Sequence, residues 1–390
     1  MRVLHTSDWH LGRSFGHVSL HDDQQQFVDW FVQFAVSERV EVVLLAGDVY
    51  DRSVPPPHSI ELFRSALTRL QGAGIAVVVI AGNHDGPERV AAYDGLLDAS
   101  GVHIRGGYQR AGDVIRLSFA DGPLAVVPVP YLDPVMAPDE HGVPDEVAAS
   151  GIRLRRPTHH AVVASAIDRA LRQGIGPRSI AVAHGFVTGG GGVPTESESE
   201  RQLTVGGHGR IDASVFRPFS YTALGHLHAP QVVGADHVRY SGAPLAYSFS
   251  ETKAKQVVLV ELSALGIVEV MPVTVPVGRG VVTVTGTLEH LLRSASPAHL
   301  QHFVRAVLTD AGPVLDAKPA LQRVYPYVVE VQWNPARSAS ASPAVGDAGN
   351  RTRMQPLDAA IAYWADVYQT EPDAATSDLL RRGLAEAGVT

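Results

Sequence analysis

The chain contains no cysteine. Disulfides, thiolate nucleophiles and thiolate zinc sites are excluded, so any metal must be held by nitrogen and oxygen ligands. Lysine is almost absent: Lys253, Lys255 and Lys318 are the only three. The basic residues are nearly all arginine, and the formal net charge is −8 over 390 residues. Such a balance does not advertise a general polyanion surface, so any nucleic-acid face must be local. No apolar stretch is long enough to span a bilayer. The start, Met1-Arg2-Val3, enters a strand that meets Asp8 before a signal-peptide core can form. The phosphate loop Gly-x-x-x-x-Gly-Lys-[Ser/Thr] is also missing, so any ATP dependence must come through a partner. The expectation is a cytoplasmic protein with no membrane segment.

What is present is organised around Gly82-Asn83-His84-Asp85. These residues end Ile75 to Ala81, a continuous β-branched run that reads as a strand buried on both faces. The same device recurs. Val3 to Ser7 ends in Asp8-Trp9-His10, and Val42 to Ala46 ends in Gly47-Asp48-Val49-Tyr50-Asp51. Ile180 to Ala183 ends in His184, and Tyr221 to Leu224 ends in Gly225-His226-Leu227-His228. Turns favour Asp, Asn and Gly for backbone reasons alone, but they do not call for histidine. Ligand sites in open α/β sheets lie at this strand edge.

The first 130 residues alternate strand with helix. Helical spacing covers Gln24 to Glu38 and Ile60 to Leu70, and a shorter helix is expected over Val90 to Leu97. A helix over Thr158 to Gln173 lies in a segment rich in arginine (Arg153, Arg155, Arg156, Arg169, Arg172, Arg178), read either as a solvated face or as phosphate contacts. Thr188 to Arg201, Gly-rich and then acidic, reads as a mobile loop. Val232 to Val275 reads as a hairpin-rich second sheet. Residues 281–333 read as strand, helix (Leu288 to Ala295, then His299 to Leu308) and strand (Tyr327 to Trp333). The resulting division is 1–275, a catalytic domain; 276–333, a small α/β capping domain; 334–355, a flexible Ser/Ala/Pro/Gly-rich linker; and 356–390, a helical segment. Apolar stripes on that last segment suit partner docking or packing onto the same chain.

Asp8, His10, Asp48, Asn83, His184, His226 and His228 are too many ligands for one metal with open positions. They suit two divalent ions about 3.5–4 Å apart, an arrangement that lowers the pKa of water and clamps an in-line phosphoryl displacement. Mixed imidazole and carboxylate ligation favours Mn, Fe or Zn over Mg or Ca.

Asp-x-His, Gly-Asp-x-x-Asp, Gly-Asn-His-Asp, a lone His after a strand and Gly-His-x-His, in this order over residues 8–228, resemble the calcineurin-like metallophosphoesterases. His5 to Gly12, Gly47 to Arg52 and Tyr240 to Glu251 narrow the resemblance to the bacterial SbcD family of nuclease subunits, which work with an SbcC-type ATPase. That resemblance implies a four-layer αββα sandwich of the α/β (α+β) class, with the cap and an SbcC-docking tail. It implies one metal on Asp8, His10, Asp48 and His228, and a second on Asp48, Asn83, His184 and His226. His84 would act as general acid or transition-state stabiliser and Asp85 would orient it. Two Mn2+ ions are expected, with ATP acting only through the partner. The implied activity is double-strand 3′–5′ exonuclease and single-strand or hairpin endonuclease, with the 3′ oxygen leaving, in DNA repair, recombination and replication at the nucleoid. The implied assembly is a heterotetramer, the homodimer contact using helices near 58–70 and 87–98. Two rivals remain: a small-molecule phosphodiesterase or phosphatase on the same metal core, and a DNA-end-binding scaffold with a vestigial site. His5, His17 and His21 read as structural or surface residues.

Overall fold

A computed structural model describes residues 1–138, 146–147, 153–154, 157–189, 194–200, 209–312, 314–335, 356–368 and 370–386. The chain divides into two compact units, Met1–Pro335 and Ala336–Thr390.

The larger unit is built on two six-stranded sheets. In the first the order is Val268–Thr274, Gln256–Leu262, Arg2–Thr6, Val42–Ala46, Ala76–Ile80, Val102–Arg105. The last four run parallel, and the two late strands add antiparallel at one side. In the second the order is Gln231–Val233, Ala235–Tyr240, Tyr221–Gly225, Ser179–His184, Gly122–Val129, Ile115–Phe119, with a parallel centre and antiparallel edges. The expected separate hairpin sheet over Val232 to Val275 is therefore corrected: its strands extend the two existing sheets. Their apolar residues are used in the shared core instead of building a new one.

The layering follows from strand periodicity. Successive side chains point to opposite faces, and Val42–Ala46 is buried throughout. Val42, Leu44 and Ala46 enter the core between the sheets, while Val43 and Leu45 enter the core under the helices. Ile180 and Val182 meet the first group from the second sheet, and Ala181 and Ala183 face its own helix. Helices His21–Ser37 and Pro57–Gly72 cover the first sheet, and His159–Gln173 covers the second. This is an αββα sandwich. Pro57 occupies the first helical turn, where its missing N–H costs nothing, so that helix starts slightly earlier than its apolar spacing suggests. The segment expected as one helix over Val90 to Leu97 is instead two single turns, Pro87–Val90 and Asp94–Leu97. Eight residues that include Gly95 are below the length at which a helix sustains itself.

Residues 281–333 hold a parallel three-stranded sheet, Val281–Gly286, Phe303–Leu308 and Val328–Trp333. The expected helix over His299 to Leu308 is corrected to a strand at Phe303–Leu308. Val304, Ala306 and Leu308 share one face and fill a local core with Leu291, Leu321, Tyr325 and Val328. Phe303 faces the other way and stacks on Phe15 at 4.7 Å. Period two, not period 3.6, satisfies both contacts. Arg279 also ties this part to the Asp23 carboxylate on the first helix. In the smaller unit the described elements are helices Pro356–Tyr368 and Ala374–Glu386. Apart from residues 334 and 335, the linker reading falls outside the described residues. Among the described residues no helix is long and apolar enough to cross a membrane.

Candidate metal centre

Both sheets end at one edge, and the seven ligand candidates converge there. Asp8 and His10 follow Arg2–Thr6, Asp48 follows Val42–Ala46, and Asn83 follows Ala76–Ile80. His184 ends its strand, and His226 and His228 follow Tyr221–Gly225. Pairing between the first two strands continues beyond their ends: Asp8 N donates to Gly47 O at 3.0 Å and His10 N to Asp48 O at 3.0 Å. Trp9, between two ligand candidates, points the other way and meets Phe27, Phe31 and Phe63 edge-to-face, which anchors the tip in the helix core. Asp8, His10, Asp48 and His226 all have positive φ (55°, 42°, 49° and 110°). Such backbone costs about 1–3 kcal/mol per residue and persists where the surroundings over-determine it, as at functional sites. The sheets approach closely because of Gly225: a Cβ there would lie 1.8 Å from Ala46 O.

Asp48 Oδ2 lies 3.5 Å from His10 Nε2 on one side and 3.5 Å from His184 Nε2 on the other. On the first side, His10 Nε2 faces His228 Nε2 at 3.1 Å, and Asp8 completes a cluster with both. On the second, Asn83 Oδ1 lies 2.9 Å from His184 Nε2 and 3.1 Å from His226 Nδ1. Asp8 accepts from His226 N at 3.0 Å, linking the halves.

Donor chemistry shows that this cluster fits cations. His184 Nδ1 lies 2.8 Å from Ala46 O, an acceptor only, so Nδ1 carries the proton. Its Nε2 lone pair then faces two oxygens, Asn83 Oδ1 and Asp48 Oδ2. A lone pair against oxygens needs a metal ion between them or a proton on the ring. Among the described residues the buried Asn83 Nδ2 has no hydrogen-bond partner, while His10 Nδ1 faces Asp51 Oδ1 at 3.6 Å, which leaves its Nε2 toward the cluster. Without a cation a proton meets that demand: burial opposes a charged His184, but Asp48 and Asp8 override it and raise its pKa to about 9, so a cation binding there would displace this proton. Burial lowers His10 to about 3 and also lowers His226 and His228, so these three are neutral, ligand-competent imidazoles. Burial raises Asp8 well above the usual carboxylate range, while His184 and His10 overcome burial at Asp48 and hold it well below. The cluster therefore has the donor set and charge to suit divalent metal.

His84 is only partly buried, and its ring meets His10 at 4.7 Å. Its Nδ1 lies 2.9 Å from Asp51 O, so that carbonyl, not Asp85, sets its orientation. The orienting role expected for Asp85 is corrected. Its buried carboxylate accepts from Gly82 N at 2.8 Å, Tyr50 N at 2.9 Å and Val49 N at 3.1 Å, and so clamps two strand tips together. Burial, reinforced by Asp48, raises its pKa to about 6. His5 is structural as expected, its nitrogens 3.0 Å from Tyr221 Oη and 3.1 Å from Leu224 O. Arg169 and Arg178 are committed to Asp113 and Asp121, which removes both from a free phosphate surface.

Sequence reasoning missed a surrounding layer. Ser7 Oγ donates to Asp8 Oδ2 and bonds Ser241 Oγ. Tyr247 Oη donates to Trp9 O at 2.6 Å, its ring against those of His10 and His228. Residues 194–200, expected to be mobile, are held: Thr195 N donates to Gln231 Oε1, Glu198 N to Ser250 Oγ, and Glu200 Oε1 accepts from His228 N at 2.5 Å. The signal available was the polar run Ser248 to Glu251, whose serines and acid fit no strand or turn requirement.

A family model of calcineurin-like phosphoesterases matches residues 1–229. The chain is 30% identical over 294 residues to SbcD of the SbcCD nuclease from Escherichia coli K12, covering 74% of this chain and 72% of that protein. The chain belongs to the SbcD family of calcineurin-like phosphoesterases. Two other SbcD proteins agree: that of Bacillus subtilis 168 is 34% identical over 273 residues (67% of this chain, 66% of the relative). That of Staphylococcus saprophyticus is 28% identical over 332 residues (84% and 83%). Membership makes the chain a hydrolytic, metal-dependent nuclease subunit, and the SbcD match extends beyond the metal cluster toward the three-stranded sheet.

Proposed function

We propose that this chain cuts DNA phosphodiesters at ends and hairpins, as a 3′–5′ double-strand exonuclease and single-strand endonuclease, in partnership with an SbcC-type ATPase. The observation that carries the proposal is Asp48 Oδ2 at equal distance from His10 and His184, one carboxylate serving two ligand groups. Asp8, His10, Asp48 and His228 would hold one ion, and Asp48, Asn83, His184 and His226 the other. Mn2+ suits this oxygen and nitrogen set. Such ions, when bound, polarise phosphoryl oxygens and lower the pKa of water.

The chain supplies the rest. His84 donates Nδ1–H to Asp51 O, which leaves Nε2 to face the scissile phosphate; in the imidazolium form the Nε2–H passes its proton to the leaving 3′ oxygen and the ring returns to the neutral Nδ1–H form. Asp85 keeps Asn83 and His84 in register by tying Gly82 N to the Val49 and Tyr50 N–H groups that follow Asp48. Residues 276–333 would act as the cap, 334–355 as linker and 356–390 as the segment docking on SbcC. Exposed Tyr363 and Leu379 on the terminal helices support a docking role. Exposed Ile60, Tyr93 and Leu96 support a homodimer contact through 58–70 and 87–98, within a cytoplasmic, nucleoid-associated heterotetramer.

The test is Mn2+-dependent cleavage of end-labelled duplex and hairpin DNA, with and without an SbcC-type ATPase and ATP, beside bis-p-nitrophenyl phosphate. Cleavage of both substrate types supports the proposal. Cleavage of the small ester alone, even with the ATPase, would replace it with a small-molecule phosphodiesterase.

A further inference from the structure

His10 and His228 point their Nε2 atoms at each other across 3.1 Å. Both can serve as ligands only if the proton of His228 is on Nδ1. That nitrogen lies 2.7 Å from Ser199 Oγ and 3.4 Å from Glu251 Oε1. Ser199 Oγ is in turn 2.5 Å from the same Glu251 oxygen. A carboxylate only accepts, so the hydroxyl of Ser199 donates to Glu251 and its lone pair accepts from His228 Nδ1–H. The direction of both bonds is thereby set by Glu251.

We propose that Ser199 and Glu251 are positioning residues that lock His228 in the tautomer and orientation required for metal binding. The inference rests on reading His228 as a ligand. Glu251 is itself fixed: its side chain is 2% exposed, Lys255 is ion-paired with its other oxygen, and Ser248 Oγ donates to it at 3.3 Å. Ser199 is delivered by a segment gripped at several points. Arg13 donates from Nη2 to Ser199 O at 3.2 Å and from Nη1 to Asp51 at 3.0 Å. Glu200 binds the backbone N of His228 and the N of Ser197. Glu198 lies 3.7 Å from Arg305 on the middle strand of the three-stranded sheet. Hydrogen bonds of this kind behind a ligating imidazole set its tautomer, and removing one costs about 10–100-fold in metal affinity or activity.

The arrangement makes an asymmetric forecast for Glu251→Gln. Lys255 carries only donors, so the new amide turns its NH2 away from Lys255 and toward Ser199. Ser199 then accepts from Gln, and its single hydroxyl hydrogen, no longer claimed by residue 251, is free to go to His228 Nδ1 or to Ser197 Oγ at 2.9 Å, so the hold on the Nδ1–H tautomer that leaves Nε2 for the metal is lost.

The experiment is Mn2+ titration calorimetry on the full chain, with thermal unfolding in EDTA as the structural control. Wild type should bind two ions. Ser199→Ala and Glu251→Gln should weaken one of them by about 10–100-fold while the other holds. Ser199→Thr, which keeps the hydroxyl, should bind as wild type. The EDTA unfolding temperature of Ser199→Ala should match that of Ser199→Thr. Wild-type affinity in both Ser199→Ala and Glu251→Gln would overturn the inference and leave the metal-centre reading standing. Equal loss in Ser199→Thr and Ser199→Ala would overturn it as well, because the hydroxyl would then be irrelevant. Fewer than two ions on the wild type would overturn the metal-centre reading and this inference with it.

Discussion

Arg279→Met should destabilise the protein by about 3–5 kcal/mol at pH 8, the usual cost of stripping one partner from a buried ion pair. Arg279 Nη1 is paired with Asp23 Oδ2, and Arg279 N donates to Asp23 Oδ1 at 3.0 Å. The guanidinium also donates to Tyr327 Oη at 3.1 Å and lies 4.1 Å from the centre of that ring, a contact worth about 1 kcal/mol. Asp23 is 2% exposed, so methionine would leave a carboxylate out of water with little but one backbone N–H. Protonation limits that cost. Burial already raises the Asp23 pKa against the attraction of Arg279, and without the arginine it must rise further. A folded pKa above the unfolded value means the native state binds the extra proton. The variant therefore loses stability as pH climbs through that window, and the difference from wild type shrinks toward pH 4. Asp23→Asn in the Arg279→Met background should recover about 2 kcal/mol, since it removes the charge that has lost its partner. Urea unfolding at several pH values, read as midpoint shifts at constant slope, measures all four corners of the cycle. The reasoning is refuted if Arg279→Met lies within about 1 kcal/mol of wild type at pH 8, or if the two substitutions add within about 0.5 kcal/mol.

Other perturbations probe the centre and its frame. Burial lowers the pKa of His5 to about 3 from an unfolded 6.5, so its contribution is complete above pH 6.5 and is lost as pH falls toward 3, at about 1.4 kcal/mol per unit. His5→Gln should flatten the acid limb of the stability curve by that slope; curves parallel to wild type would contradict it. Gly225→Ala would drive a methyl into Ala46 O, so it should cost about 1–3 kcal/mol or more and reduce the bound metal seen by calorimetry. Mn2+ at about 100 times its dissociation constant should stabilise the fold by about 2.7 kcal/mol per site, reversed by EDTA, and an unmoved unfolding midpoint would argue against the metal centre.

The fold was legible where one residue type served one purpose. Continuous apolar runs such as Val42 to Ala46, too short for a helix and closed by Gly, read as strands covered on both faces, and parallel strands of one sheet bring their polar tips to one edge. Histidine at strand ends carried most of the site, because turn geometry gives no reason to place it there. What failed depended on distant partners. His299 to Leu308 has enough apolar residues for either period, and only the opposed demands of Phe15 and the Leu321 core make it a strand. Asp85 was misread because the backbone amides it clamps lie some 35 residues earlier, at Val49 and Tyr50. Thr188 to Arg201 reads as a mobile loop, yet in its described part, residues 194–200, folding brings Arg13, His228 and Glu251 to it. Local chemistry can be read from neighbours in sequence; a layer that supports ligands from behind cannot.

The most direct test of the central claim is His84→Ala on the full chain with Mn2+, against hairpin DNA and bis-p-nitrophenyl phosphate. His84 stands at the rim, outside the seven proposed ligands, so the variant should bind two ions with wild-type affinity and lose DNA cleavage, with a smaller loss on the small ester, whose p-nitrophenolate leaves without a proton. Undiminished cleavage of both, with two ions bound, would contradict a phosphodiesterase centre in which this imidazole faces the scissile phosphate.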